Sequence, residues 1–140
     1  MNARIVGLLT LLGAAACVGP DEQVEIVIDG LVHPVGEYVR YDAVNLTSRP
    51  VFFFTCGGTP ARVVPEVWML NGDRWVIHAI VCAFAGPGAQ GPIRLEPGES
   101  IRDSTNMFPA AGVYMIRLTY MLDPDAPGID TVFSRQFHVR

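Results

Sequence analysis

From Val24 onward, apolar and polar positions alternate with a period of two, and turn residues interrupt the alternation at short intervals. "VEIVID" sets Val24, Ile26 and Ile28 on one face and stops at Asp29-Gly30. "EYVRYDAVNLT" alternates Val39, Tyr41 and Ala43 against Arg40 and Asp42. It then presents Val44 and Leu46 on the opposite parity, which predicts a bulge or burial on both faces. Three consecutive aromatics cannot share one side of a strand. Residues 51–54, "VFFF", therefore read as a central strand covered on both faces or one wrapping an edge of the core.

Further along, Asn71-Gly72 stands between two apolar runs and predicts a hairpin pairing residues 66–70 with 74–84. "GPGAQGP" (86–92) is a loop, and "PIRLEPGESIRDST" holds two short strands about a Pro97-Gly98 turn. "GVYMIRLTYML" sets Tyr114, Ile116, Leu118, Tyr120 and Leu122 on one face, with Arg117 and Thr119 on the other. After the "DPDAPG" turn, "DTVFSRQFHV" places Phe133, Phe137 and Val139 on one parity. No window combines helical spacing, a cap and sufficient length. About eight or nine short strands with frequent turns predict an all-β, antiparallel sandwich.

Residues ahead of this pattern differ in kind. "MNARIVGLLTLLGAAAC" carries one positive charge at Arg4, an apolar run from Ile5 to Leu12 and small residues before Cys17. This is the layout of a secretory signal, and the run is well short of the ~20 apolar residues of a spanning helix. It resembles the signal of bacterial lipoproteins, whose cysteine is lipidated and becomes the mature N-terminus; Ala14 stands where that signal usually has leucine. The triple alanine also satisfies the A-x-A pattern of ordinary secretion. Three cysteines leave one odd thiol in an exported chain, and lipidation of Cys17 accounts for it. The expected organisation is a signal over 1–16, a tether over 17–23 and one sandwich over 24–140.

Composition agrees with a single globular domain: 140 residues, half of them hydrophobic and 17% charged. The chain has no lysine, and ten arginines face fourteen acidic residues. No basic patch is visible for nucleic acid or anionic lipid, so membrane attachment is expected through the acyl anchor alone.

Four pieces, in order, resemble a family of bacterial immunoglobulin-like domains found in envelope lipoproteins. They are "VNLTSRPVFFFTCG", "LNGDRWVIHAIVC", "LEPGES" and "AAGVYMIRLTY". The resemblance covers most of residues 45–120 and implies an immunoglobulin-like β-sandwich, a disulfide and an envelope location. It carries no catalytic residues. A more distant likeness is to the small β-sandwich proteinase inhibitors of bacteria.

Cys56 and Cys82 lie twenty-six positions apart across the predicted hairpin, and an oxidising compartment favours their pairing. A redox site would need Cys-x-x-Cys at a helix start, and structural zinc would need four ligands in paired spacings. Neither pattern is present. A blue-copper set would need two His, a Cys and a Met, several of them in one late loop; after Gly112 there are His138, Met115 and Met121 but no cysteine. His33 and His78 read as strand residues. Asp123, Asp125 and Asp130 read as a turn interrupted by Pro124 and Pro127, not a calcium loop. Trp68, Trp75, Tyr114 and Tyr120 could form an aromatic binding face but read rather as core, with tryptophan against the disulfide and Tyr114 bonded to a neighbouring loop as in a tyrosine corner. Arg117 is expected to pair with a carboxylate.

The expected function is a non-enzymatic binding or accessory module of the bacterial envelope, anchored through Cys17 and needing no cofactor or metal. Its expected partner is an envelope protein, met through the long loops that carry Gly57, Gly58, Arg62, Gly88 and Gln90. Val18 lacks the aspartate that typically retains lipoproteins in the inner membrane, which points to the outer membrane in a diderm cell. A proteinase inhibitor and a copper carrier are the alternative expectations.

Overall fold

The computed structural model describes residues 23–56, 62–82 and 91–140, and these contain strands and turns but no helix. Five strands precede the first gap: β1 (Val24–Ile28), β2 (Val32–His33), β3 (Val39–Asn45), β4 (Val51–Phe53) and β5 (Thr55–Cys56). Three follow it: β6 (Arg62–Val63), β7 (Glu66–Asn71) and β8 (Arg74–Ile80). The remainder are β9 (Ile93–Leu95), β10 (Ser100–Thr105), β11 (Gly112–Met121), β12 (Asp130–Phe133) and β13 (Phe137–Val139).

Two sheets enclose one core. The smaller has the order β1-β3-β10, all antiparallel. The larger is built on β11, the longest strand, which pairs β7 and then β4 along one edge and β13 and then β12 along the other. β8 extends the larger sheet beyond β7, β9 extends it beyond β4, and β2 joins β13 in parallel. A small β5-β6 pair stands apart. Alternate residues of both sheets point inward: Val24, Ile26, Val39 and Tyr41 from one meet Val51, Phe53, Ile116 and Leu118 from the other in a single buried cluster. The expected all-β antiparallel architecture is present, and two sheets over a shared core are consistent with a β-sandwich.

Several sequence expectations change in detail. The "VFFF" run is not covered on both faces, because strand alternation divides it: Val51 and Phe53 enter the core, Phe52 is half-buried and Phe54 is exposed. β3 carries no bulge, since its pairings with β1 and β10 keep one register throughout. Its inward parity instead ends on a buried polar residue, Asn45, which leaves Val44 half-buried and Leu46 exposed. The hairpin forms, but Asn71 is its last paired residue, opposite Arg74. Gly72 and Asp73 make the turn, with Gly72 at φ +66° in the first central position, the place of glycine in a II′ turn. β8 ends at Ile80; the Val81 N–H still donates to the carbonyl of Pro65, the next position in the hairpin register, but proline has no N–H to return the bond.

Phe133 also changes sides. Phe133 pairs with Arg117, while Phe137 pairs with Tyr114 three residues back along β11, so the C-terminal segment has one extra residue between these points. That residue inverts the parity, and Phe133 faces outward while Phe137 is fully buried. Ser134 stabilises the irregularity from within. Its hydroxyl accepts the Ile116 N–H at 2.9 Å, and its own N–H donates to the Ile116 carbonyl at 2.8 Å.

One end of the core is aromatic. Phe108, in the connection between β10 and β11, lies edge-on to Tyr114 and Phe137 at 5.2 and 5.4 Å. The Tyr114 hydroxyl donates to the Ala110 carbonyl at 2.9 Å, clamping that connection as the tyrosine-corner expectation required. Tyr41 is as deeply buried, yet among the described residues its hydroxyl has no hydrogen-bond partner. The two tyrosines should therefore respond oppositely to loss of the oxygen. Tyr114→Phe is expected to lower unfolding free energy by about 1 kcal/mol, while Tyr41→Phe is neutral or stabilising. Urea denaturation of the two variants checks this, and equal losses would contradict the contrast.

Candidate functional site

Of the residues singled out in the sequence, Cys17, Gly57, Gly58, Gly88 and Gln90 lie outside the described residues. Cys56, Cys82 and Arg62 lie within them and converge. Cys56 ends β5, Cys82 stands two residues past β8, and their sulfurs are at disulfide distance with Cα atoms 5.3 Å apart. The bridge ties the β5-β6 pair to the far end of the β7-β8 hairpin.

Beside the bridge is a cavity of about 70 Å3, lined by Cys56, Val63, Pro65 and Val81 on one side and by Arg62, Asp103 and Ser104 on the other. Arg62 Nε donates to Asp103 Oδ1 at 2.9 Å, Nη2 contacts the same oxygen, and Nη2 also donates to the Ser104 carbonyl at 2.5 Å. Hydrogen bonding to Asp103 is the main cause that raises the Arg62 pKa above its ordinary value. The guanidinium thus latches β6 onto β10. Tyr41, opposite Asp103 in the β3-β10 register, has its phenol pKa driven up, first by burial and then by the Asp103 charge.

A second cluster lies on the outer face of the larger sheet. The register sets Arg117 between Glu66 on β7 and Phe133 on β12, with Trp68 one diagonal step away. Arg117 Nη2 meets Glu66 Oε2 at 2.5 Å, and the Trp68 indole N–H donates to the same oxygen at 3.2 Å. The guanidinium carbon lies 5.0 Å from the Trp68 ring centre and 5.8 Å from that of Phe133, a cation within reach of two aromatic rings. The two rings meet edge-on at 5.6 Å. Side-chain exposure is only 25% for Arg117 and 16% for Glu66, so the pair is well shielded for an outward position, and Arg117 Nε is buried without a partner among the described residues.

The expected carboxylate partner of Arg117 is thus Glu66. The placement of the tryptophans is corrected: Trp68 and Trp75 are half-buried on this outer face, not packed in the core, because Val67 and Met69 take the inward positions of β7. The alternation of "EVWML" already contained this parity; weighting tryptophan by its hydrophobic bulk concealed it.

No protein-family model and no curated protein matches the chain. The remaining candidates stay local. His33, His78 and His138 stand on three different strands, and the described residues contain no group of three His, Cys, Asp or Glu side chains able to hold a metal. Asp123 Oδ1 accepts the Asp125 N–H at 2.9 Å, which makes the acidic segment a side-chain-supported turn.

Proposed function

We propose that this chain is an exported, lipid-anchored, immunoglobulin-like domain that serves the bacterial cell envelope as a non-enzymatic binding or accessory module. The observation that carries the proposal is the meeting of Cys56 and Cys82, the arrangement of a disulfide-stapled extracytoplasmic domain. It accounts for two of the three cysteines and leaves Cys17, at the end of the signal-like segment, as the residue for the acyl anchor. Strand order supports the immunoglobulin-like reading: the first, third and tenth strands form one sheet, and β8, β7, β11 and β13 run side by side in the other. So does the Tyr114 clamp at the start of β11. The partner in this reading is an envelope protein, met through the end loops.

The intact mass of the chain from a membrane fraction, unreduced and alkylated, tests the proposal. The expected species begins at Cys17, carries acyl groups, is two hydrogens light and takes up no alkyl group. An unlipidated chain with alkylated Cys56 and Cys82 would overturn both the anchor and the extracytoplasmic assignment.

A further inference from the structure

The outer face of the larger sheet is an apolar surface assembled across four adjacent strands. Ile77 on β8 stands opposite Trp68 on β7, which stands opposite Met115 on β11. In the neighbouring row, Ile80 is opposite Glu66, then come Arg117 and Phe133. Ile77, Ile80 and Phe133 are 49%, 60% and 43% exposed. Large apolar side chains are normally scattered singly over a surface, and their gathering around a shielded Trp-Arg-Glu cluster is the anatomy of an interface centre.

Charge indicates what covers it. The chain is acidic, with fourteen acidic residues against ten arginines. Across these rows, however, the charged residues are Glu66 and Arg117, and they neutralise each other at 2.5 Å. A partner selected by the overall charge would be basic and would gain nothing from this face. A face that is neutral and apolar is complementary to itself, and two copies can meet about a two-fold axis with no like charges opposed. We infer that the outer faces of β8, β7, β11 and β12 of two copies of this chain pack against each other to form a homodimer. Four strands at ~4.8 Å spacing and about six residues at ~3.4 Å give a footprint of roughly 20 by 20 Å. That is modest beside the ~800 Å2 per partner of a standard interface, so the dimer is concentration-dependent.

Sedimentation equilibrium of the full chain, in density-matched detergent when it is isolated from membranes, tests this from about 1 to 500 μM. The expected result is a monomer–dimer equilibrium within that range. Ile77→Arg and Phe133→Arg are each expected to weaken it by about tenfold or more, with thermal melts showing both variants folded. Phe133 lies three strands from β8, whose far edge pairs with no other strand among the described residues, so loss of the dimer with Ile77→Arg alone would mean edge-to-edge pairing and would overturn face packing. A monomer throughout the range, or a dimer that survives both substitutions, would also overturn the proposal.

Discussion

Replacing Cys56 and Cys82 together by alanine is expected to lower the unfolding free energy by roughly 3.5 kcal/mol. The bridge closes a segment of 26 residues, and the chain-entropy relation gives that figure for a loop of this length. For a domain of this size it corresponds to a fall in Tm of roughly 10–20 °C. The β5-β6 pair has only two paired positions of its own, so the bridge and the Arg62 latch add to the burial of Val63 in holding it to the rest of the molecule. Thermal melts with and without reductant provide the check. Reduction of the native chain should reproduce the double variant's melting temperature, and the variant itself should be indifferent to reductant. A native chain whose melting is unmoved by full reduction would refute the stabilising role.

A loss of similar size, roughly 3 kcal/mol, is expected for Asn45→Ala. The Asn45 side chain is fully buried and uses both ends of its amide. Nδ2 donates to the carbonyls of Arg49 and Leu95 at 2.9 and 3.0 Å, and Oδ1 accepts the Thr47 N–H and hydroxyl at 2.9 and 2.8 Å. Its backbone adds two more ties, receiving the Gly98 N–H and donating to the Glu99 carbonyl. One residue therefore holds the β3-β4 turn against the β9-β10 turn. Alanine removes the amide and strands the Thr47 N–H and the inner bond to the Leu95 carbonyl, each at a cost of about 1–3 kcal/mol when buried. Asn45→Asp should fare no better, because a carboxylate has no hydrogens for the two carbonyls. Urea denaturation is the measurement, and a loss below about 1 kcal/mol for both variants would show that water or rearrangement satisfies these groups.

Asn45 also marks where sequence reasoning stops. The alternation of Val39, Tyr41 and Ala43 correctly gave the inward face of β3, and the same logic worked for β1 and β11. It failed where a polar residue occupied an inward position, since periodicity counts apolar residues and is blind to a satisfied amide. Hydrogen-bond partners fifty residues apart, such as Asn45 and Leu95, leave no local trace. Phe133 failed for another reason: one extra residue near Ser134 reverses every later side chain, and nothing in "VFSRQF" announces it. Phe108, a core residue in an irregular connection, has no period to betray it. The cysteine pair was legible because the cysteine count and the signal-like opening segment already favoured a pairing. The aromatic cluster on the outer face was half legible, with Arg117 correctly turned outward and assigned an acid, and Trp68 misplaced.

The position of β11 in the chain has a kinetic consequence. Strands β4, β7, β12 and β13 all find their partner in residues Gly112–Met121, the last strand but two. During synthesis the β1-β3-β10 sheet and the β7-β8 hairpin can pair before that strand emerges, but the larger sheet has no centre until it does. The fold thus has a high contact order, and its closure waits for the C-terminal fifth of the chain. In the export proposed above, with the chain crossing a membrane N-terminus first, such a layout would delay commitment to the native state until nearly all of it had been threaded through.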